Sequence, residues 1–178
     1  MNFHALLDNM TVRAAALSKF RFFSSSVESP TFAEHLESIE MDVPRVQGEG
    51  YYEVSANSLV GEMDPAFHVA RWRGSEFPTL IYHHGNNERP FDYGPASKNT
   101  FKNIFLSKVE DIPVNLIALR APFHRSLKDY TQASAHLANW MAMLAVSTAL
   151  IESLVSSAHE RLSSPIGLAG ISLGGWGS

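Results

Sequence analysis

Near its carboxyl end the chain reads Gly170-Ile171-Ser172-Leu173-Gly174, a Gly-x-Ser-x-Gly pattern directly after the apolar run 165–170. Such spacing serves nucleophilic attack by a serine hydroxyl. The serine stands on a sharp, strained strand-to-helix turn, and side chains two residues before and after would strike adjacent elements. Both of those positions therefore take glycine. With glycine and serine each near 7% of residues, the bare pattern arises by chance in roughly 0.06 of chains this long. A preceding apolar strand lowers that figure further. The alternative is a glycine-rich loop that happens to contain a serine.

A second signal is His83-His84-Gly85-Asn86-Asn87, at the end of an apolar run centred on Leu80. In open α/β sheets ligands gather beyond the carboxyl ends of the strands. A His-Gly step there turns the chain so that the next backbone N–H faces the crevice. The amides of Asn86 and Leu173 would together hold a developing oxyanion, with His84, Gly85, Gly170 and Gly174 in support. Removing one such donor typically costs roughly 2.7–4 kcal/mol of transition-state stabilisation.

A serine hydroxyl needs an adjacent base. All eight histidines (His4, His35, His68, His83, His84, His124, His136, His159) precede Ser172. His84 and His124 fall near the active edge, but a structural role suits the first, and a pocket or loop-anchoring role the second. His83, His84 and Asp92 are close in sequence, yet adjacent strand residues point to opposite faces; no metal and no cofactor is expected. Glu88, Arg89 and Asp92 read as a solvated loop, with substrate contact as the alternative. Arg120 either positions an anionic substrate or makes a salt bridge. Trp140, Met141 and Met143 read as core or helix-face residues.

These residues need elements to position them. Alternation and apolar content predict strands over 51–59, 67–73 and 78–82, and again over 113–119 and 165–170. A helix is expected over 97–107. The most helical segment is 131–162, where Leu137, Trp140, Met141, Leu144, Thr148, Ile151 and Val155 make a stripe at steps of three and four. Asn139, Ser147, Thr148, Glu152 and Ser153 interrupt it, which favours a helix packed on a sheet over a membrane span. Strands alternating with helices imply an α/β fold around a mostly parallel sheet flanked by helices. Residues 1–50 read as a helical extension and linker, with a helix over 1–23 whose basic residues also suggest organelle targeting faintly. Residues 51–178 read as the domain proper.

On His84-Gly85-Asn86 and Gly170-Ile171-Ser172-Leu173-Gly174, with the element order between them, the stretch 51–178 resembles the amino-terminal half of the α/β-hydrolase superfamily. The resemblance implies Ser172 as nucleophile and the Asn86 and Leu173 amides as the oxyanion hole. It also implies that Leu80, Leu116 and Leu168 lie on the third, fourth and fifth strands. In that family the acid and the histidine follow the nucleophile, whereas nothing follows Ser178 here. The expectation is therefore a hydrolase-like fold incomplete at its carboxyl end. Its activity would be that of a serine hydrolase on a carboxylic ester or related acyl bond, with the acid and base absent from this chain. The alternative is a non-catalytic hydrolase-like interaction protein.

Composition bounds the rest. The 178 residues are 45% hydrophobic and 18% charged, ample for one folded domain. A net charge of −4 favours neither nucleic acid nor an anionic membrane surface. The absence of cysteine excludes a disulfide framework, a thiolate metal site and a cysteine nucleophile. The expected partner is a small acyl substrate, with no nucleic acid and no membrane span. A homodimer or a completing chain is expected if 178 residues is the natural length. A cytoplasmic location is the default.

Overall fold

The structure, a computed structural model, describes residues 22–86, 88–107, 112–159 and 164–177. The helix expected over 1–23 lies almost wholly outside them. In chain order the strands are β1 (Glu40–Asp42), β2 (Gly50–Glu53), β3 (Ser55–Ser58), β4 (Gly61–Met63), β5 (Ala66–Arg71), β6 (Thr79–His83), β7 (Asn115–Arg120) and β8 (Ile166–Gly170). The helices are α1 (Phe32–Glu37), α2 (Leu127–Ala133), α3 (Leu137–His159) and α4 (Gly174–Gly177), with a π-helical turn over Lys102–Leu106.

The main sheet has the order β2-β5-β7-β6-β8, and β1-β3-β4 form a small antiparallel sheet beside it. The fold is α/β, but the sheet is mixed rather than mostly parallel. β6 pairs in parallel with β7 and with β8, whereas β2–β5 and β5–β7 are antiparallel. Parallel neighbours need a crossover of a dozen or more residues, usually helical. Such connections exist only after β6 and after β7, and the short turns before residue 79 supply none.

The run 51–59 is two strands. At Val54 the ladder breaks, the Val54 N–H donates to Pro65 O (3.1 Å), and the chain passes from the main sheet to the small one. The small sheet also takes a strand from before residue 51, since Glu40–Asp42 pair with Asn57–Ser55. The expected helix over 131–162 is likewise interrupted. Carbonyls of Ser134 and Ala135 accept N–H bonds from Phe23 and Ser25 (both 2.9 Å), and Leu137 N–H donates to Ser26 O (3.0 Å). Residues 22–26 thus lie along the break between α2 and α3.

Side-chain alternation places one core on each face of the main sheet. On one face Phe67, Val69, Ile81, Ile117 and Leu119 meet Leu150, Ile151 and Leu154 of α3. On the other, Tyr82, Leu116 and Ala118 meet Phe101, with Phe91, Tyr93 and Phe105 packed around them. The buried face of α3 is Ala142–Ser147 with Leu150, Ile151 and Leu154, so only Leu144 and Ile151 of the expected stripe are fully buried. The small residues Ala142, Ala145 and Ser147 are among those buried on this face. α3 is long and apolar enough to cross a bilayer, and half of its most apolar window is buried inside the protein. β8 is an outer strand, with β6 its one partner among the described residues; Leu168 is 45% exposed rather than buried.

Candidate active site

β6 is the organising strand. Its residues Thr79–His83 pair one for one with Asn115–Leu119 on one side and Ile166–Gly170 on the other, without a bulge. Three parallel strands therefore end level, and the loops leaving them at 84–86, 121–126 and 171–173 share one edge.

At the end of β8 the Ile171 N–H donates to His83 O (3.3 Å), and the chain then reverses. Ser172 takes φ +52°, a left-handed conformation rare for a side-chain-bearing residue. Gly174 N–H returns to Ile171 O (2.9 Å), Gly175 N–H to Ser172 O (3.0 Å) and Trp176 N–H to Leu173 O (3.1 Å), which starts α4. The flanking glycines are sterically required. A methyl group at Gly170 would overlap the Gly174 carbonyl, and one at Gly174 would overlap the His83 carbonyl and come within 2.8 Å of its Nδ1. Ser172 is exposed at the tip, and Leu173 is buried at 4% exposure.

The loop after β6 passes against this corner. A methyl at Gly85 would lie 3.1 Å from Ile171 Cγ2 and 3.4 Å from Ile171 O. The Glu88 N–H donates back to Gly85 O (3.4 Å). The amides of Asn86 and Leu173 find no acceptor among the described residues, and Asn86 Oδ1 is buried without a hydrogen-bond partner there. The sequence-designated site residues Gly85, Asn86, Gly170, Ser172, Leu173 and Gly174 thus gather where two adjacent parallel strands end.

Three histidines are buried at this edge, and His83 Nε2 and His124 Nε2 have no hydrogen-bond partner among the described residues. The His84 Nδ1 is 2.7 Å from Gly85 O, and its Nε2 accepts the Ala121 N–H at 3.0 Å. These partners fix the neutral tautomer protonated at Nδ1 and occupy both nitrogens. Burial pushes His84 well below the usual histidine value, and the neighbouring His124 and His83 push it further. His83 Nδ1 donates to His84 O (3.0 Å), and burial lowers this ring too. His124 Nδ1 donates to Pro122 O (3.0 Å), and burial brings its pKa down to about 4. Its ring lies edge-on to His84, with centroids 4.5 Å apart. Among the described residues no three His, Cys, Asp or Glu side chains are grouped to hold a metal ion.

Behind the 121–126 loop stands an ion-pair network that sequence reading only half anticipated. Arg120 and Arg125 both reach Glu53 Oε2 (2.7 and 2.8 Å), and Arg125 Nε reaches Asp64 Oδ2 (2.8 Å). Burial alone would raise the Glu53 pKa, but the two guanidinium groups hold it below the usual carboxylate range. Asp64 Oδ1 also accepts the Phe123 N–H (3.1 Å), and Phe123 is held at φ +65°. Arg120 is thereby committed to the scaffold, with its guanidinium 5.4 Å above the Phe91 ring. A cavity of about 510 Å³ opens beside it, lined by Arg89, Phe91, Asp92, His124, Arg125 and Ser126 among others.

Glu88 is not a solvated loop residue. Its Oε2 accepts the Thr100 N–H (3.1 Å), and its Oε1 accepts the Thr100 hydroxyl (2.5 Å). Asn99, 1% exposed, donates its amide to the carbonyls of Arg89, Pro90 and Asp92 and accepts the Lys102 N–H (2.8 Å). Neither residue carried a sequence signal, because each acts on partners up to twelve residues away.

No protein-family model matches the chain, and no curated protein matches it. Solved structures do. Acetyl xylan esterase 1 from a Thermoanaerobacterium species aligns over 81% of this chain and 49% of its own, at 14% identity and a TM-score of 0.41. A cold-adapted esterase from an Arctic intertidal metagenomic library aligns in a polyethylene-glycol-bound form over 76% of this chain and 56% of its own, at 15% identity and a TM-score of 0.37. Its native form gives 77%, 54%, 14% and 0.33. The chain spans about half the length of these structures, and it is similar to solved esterases at low identity.

Proposed function

We propose that this chain carries the nucleophile and oxyanion portion of a serine hydrolase acting on carboxylic esters or related acyl bonds. The observation that carries the reading is the Ser172 corner. A left-handed serine stands between two glycines that admit no side chain, beside a neighbouring loop whose Asn86 amide has no acceptor among the described residues. Strain of this kind persists only where the surroundings over-determine it, and it clusters at functional sites.

In this reading the Ser172 Oγ attacks the substrate carbonyl carbon as its proton passes to a base. The carbonyl π electrons move onto oxygen, and that oxyanion receives the Asn86 and Leu173 N–H bonds. Collapse re-forms the carbonyl and expels the alcohol, which takes back the proton, leaving an acyl-serine that water hydrolyses by the same route. We assign the base and its acidic partner to residues outside this chain. His84 has no free nitrogen, and a histidine titrating near 4, as His124 does, is a poor proton acceptor from serine. A fluorophosphonate probe tests the assignment. A full-length parent protein that also supplies the base and acid should be labelled, and labelling there that survives Ser172→Ala would overturn the assignment.

A second reading, a hydrolase-shaped binding chain, draws on the apolar surface around β8, where Leu168, Ile171 and Trp176 are 45%, 41% and 77% exposed. It expects association of the chain with itself or with a completing polypeptide through that edge. Light scattering after size-exclusion chromatography decides it, since a stable monomer removes the expectation.

A further inference from the structure

We infer that Glu88 is a positioning residue that aims the Asn86 N–H by holding the Gly85 carbonyl; the inference rests on the serine-hydrolase reading above. The Gly85–Asn86 peptide is trans and planar, so its N–H points away from its C=O. Whatever grips the Gly85 carbonyl therefore sets the direction of the Asn86 amide. Two donors grip it: the His84 Nδ1–H at 2.7 Å, and the Glu88 N–H at 3.4 Å.

The second grip depends on where Glu88 is held. Its carboxylate binds Thr100 through both oxygens, one on the backbone N–H and one on the hydroxyl. Thr100 begins the helical stretch whose Phe101 is 1% exposed in the core beside Tyr82 and Leu116. The carboxylate is thus a strut running from the loop to a rigid part of the core. The same two bonds answer an electrostatic difficulty. A carboxylate beside an oxyanion site opposes the charge that develops there, and Glu88 Oε1 lies only 3.3 Å from where a Gly85 Cβ would be. Turned onto two Thr100 donors, the charge is spent on the scaffold.

The strut and the charge separate by substitution. Glu88→Gln keeps an acceptor for the Thr100 N–H and a donor for its hydroxyl, so in the full-length parent that supplies the base and acid it should retain activity within about threefold of wild type. Glu88→Ala removes the strut and should lower kcat about tenfold or more, short of the 100- to 1,000-fold typical of deleting an oxyanion donor outright, with KM little changed. Thr100→Val loses the hydroxyl bond alone and should fall between them; it carries the kinetic test if Glu88→Ala does not fold. A second measurement needs no turnover. The Asn86 amide resonance in a ¹H–¹⁵N spectrum should move or broaden in Glu88→Ala and in Thr100→Val, and stay in place in Glu88→Gln. If Ser172-dependent labelling is absent from the full-length parent that supplies the base and acid, the hydrolase reading fails and this resonance alone judges the strut. If labelling is present, and Glu88→Ala or Thr100→Val keeps wild-type kcat with an unmoved Asn86 resonance, the strut is overturned and the hydrolase reading stands.

Discussion

Gly174 and Gly175 are neighbours with opposite prospects. A methyl at Gly174 meets the backbone carbonyl of His83, which belongs to β6, paired on both sides, and cannot step aside. Gly174→Ala should cost about 3 kcal/mol, the upper end for overpacking. That corresponds to a melting point lower by roughly 6–12 °C for a chain of this length. A methyl at Gly175 meets nothing closer than 3.8 Å, and the position is helical, so Gly175→Ala should hold or gain up to about 1 kcal/mol. Thermal denaturation of the two variants checks the pair. The Ser172 corner was legible in the sequence because its demand is local: the glycines and the serine sit within five residues. Glu88 was not, because its charged side chain resembles any solvated loop residue until Thr100 is placed against it.

Elements were legible where their own residues decide them and obscure where a distant segment does. The strands around Leu80 and Leu116 follow from continuous apolar runs, and both are buried on two faces. The break at Val54 depends on Pro65, and the break between α2 and α3 on backbone groups of residues 22–26; no periodicity within either run reports these partners. The join of β5, β6 and β7 depends similarly on Asn115, which is fully buried. Its side-chain amide donates to Gly74 O (2.9 Å), Phe77 O (3.2 Å) and Thr79 Oγ1 (3.1 Å), and its Oδ1 accepts the Arg73 N–H (2.7 Å). Asn115→Ala would leave several of these groups buried and unpaired. The expected loss is about 3 kcal/mol in urea unfolding, with Asn115→Asp able to accept the Arg73 N–H but unable to donate to Gly74 O or Phe77 O.

At the scale of the whole molecule, buried neutral histidines set the response to acid. Burial takes both His68 and His124 to about 4, and His84 well below its ordinary 6.5. Below pH 6.5 the unfolded chain therefore binds protons that the folded protein refuses. Stability is full above that value and declines as pH falls toward 4, at about 1.4 kcal/mol per pH unit for each of the well-buried His84 and His124 and less for the half-buried His68. Urea midpoints measured from pH 8 to pH 4.5 should show a plateau and then a fall, and His124→Gln should make the fall shallower. An unchanged slope in that variant would remove His124 from the account.

The even ladder along β6 contrasts with the irregular one between β5 and β7, where the pairing slips between Val69 and Arg71. A residue inserted within β6 would transpose every following side chain to the wrong face and carry the Asn86 turn about 3.3 Å past the serine. Near Ala70 the ladder already absorbs a surplus residue, so an extra one there has somewhere to go. Insertion scanning of this polypeptide should accordingly find an asymmetry of permitted length, with growth accepted along β5 and refused along β6.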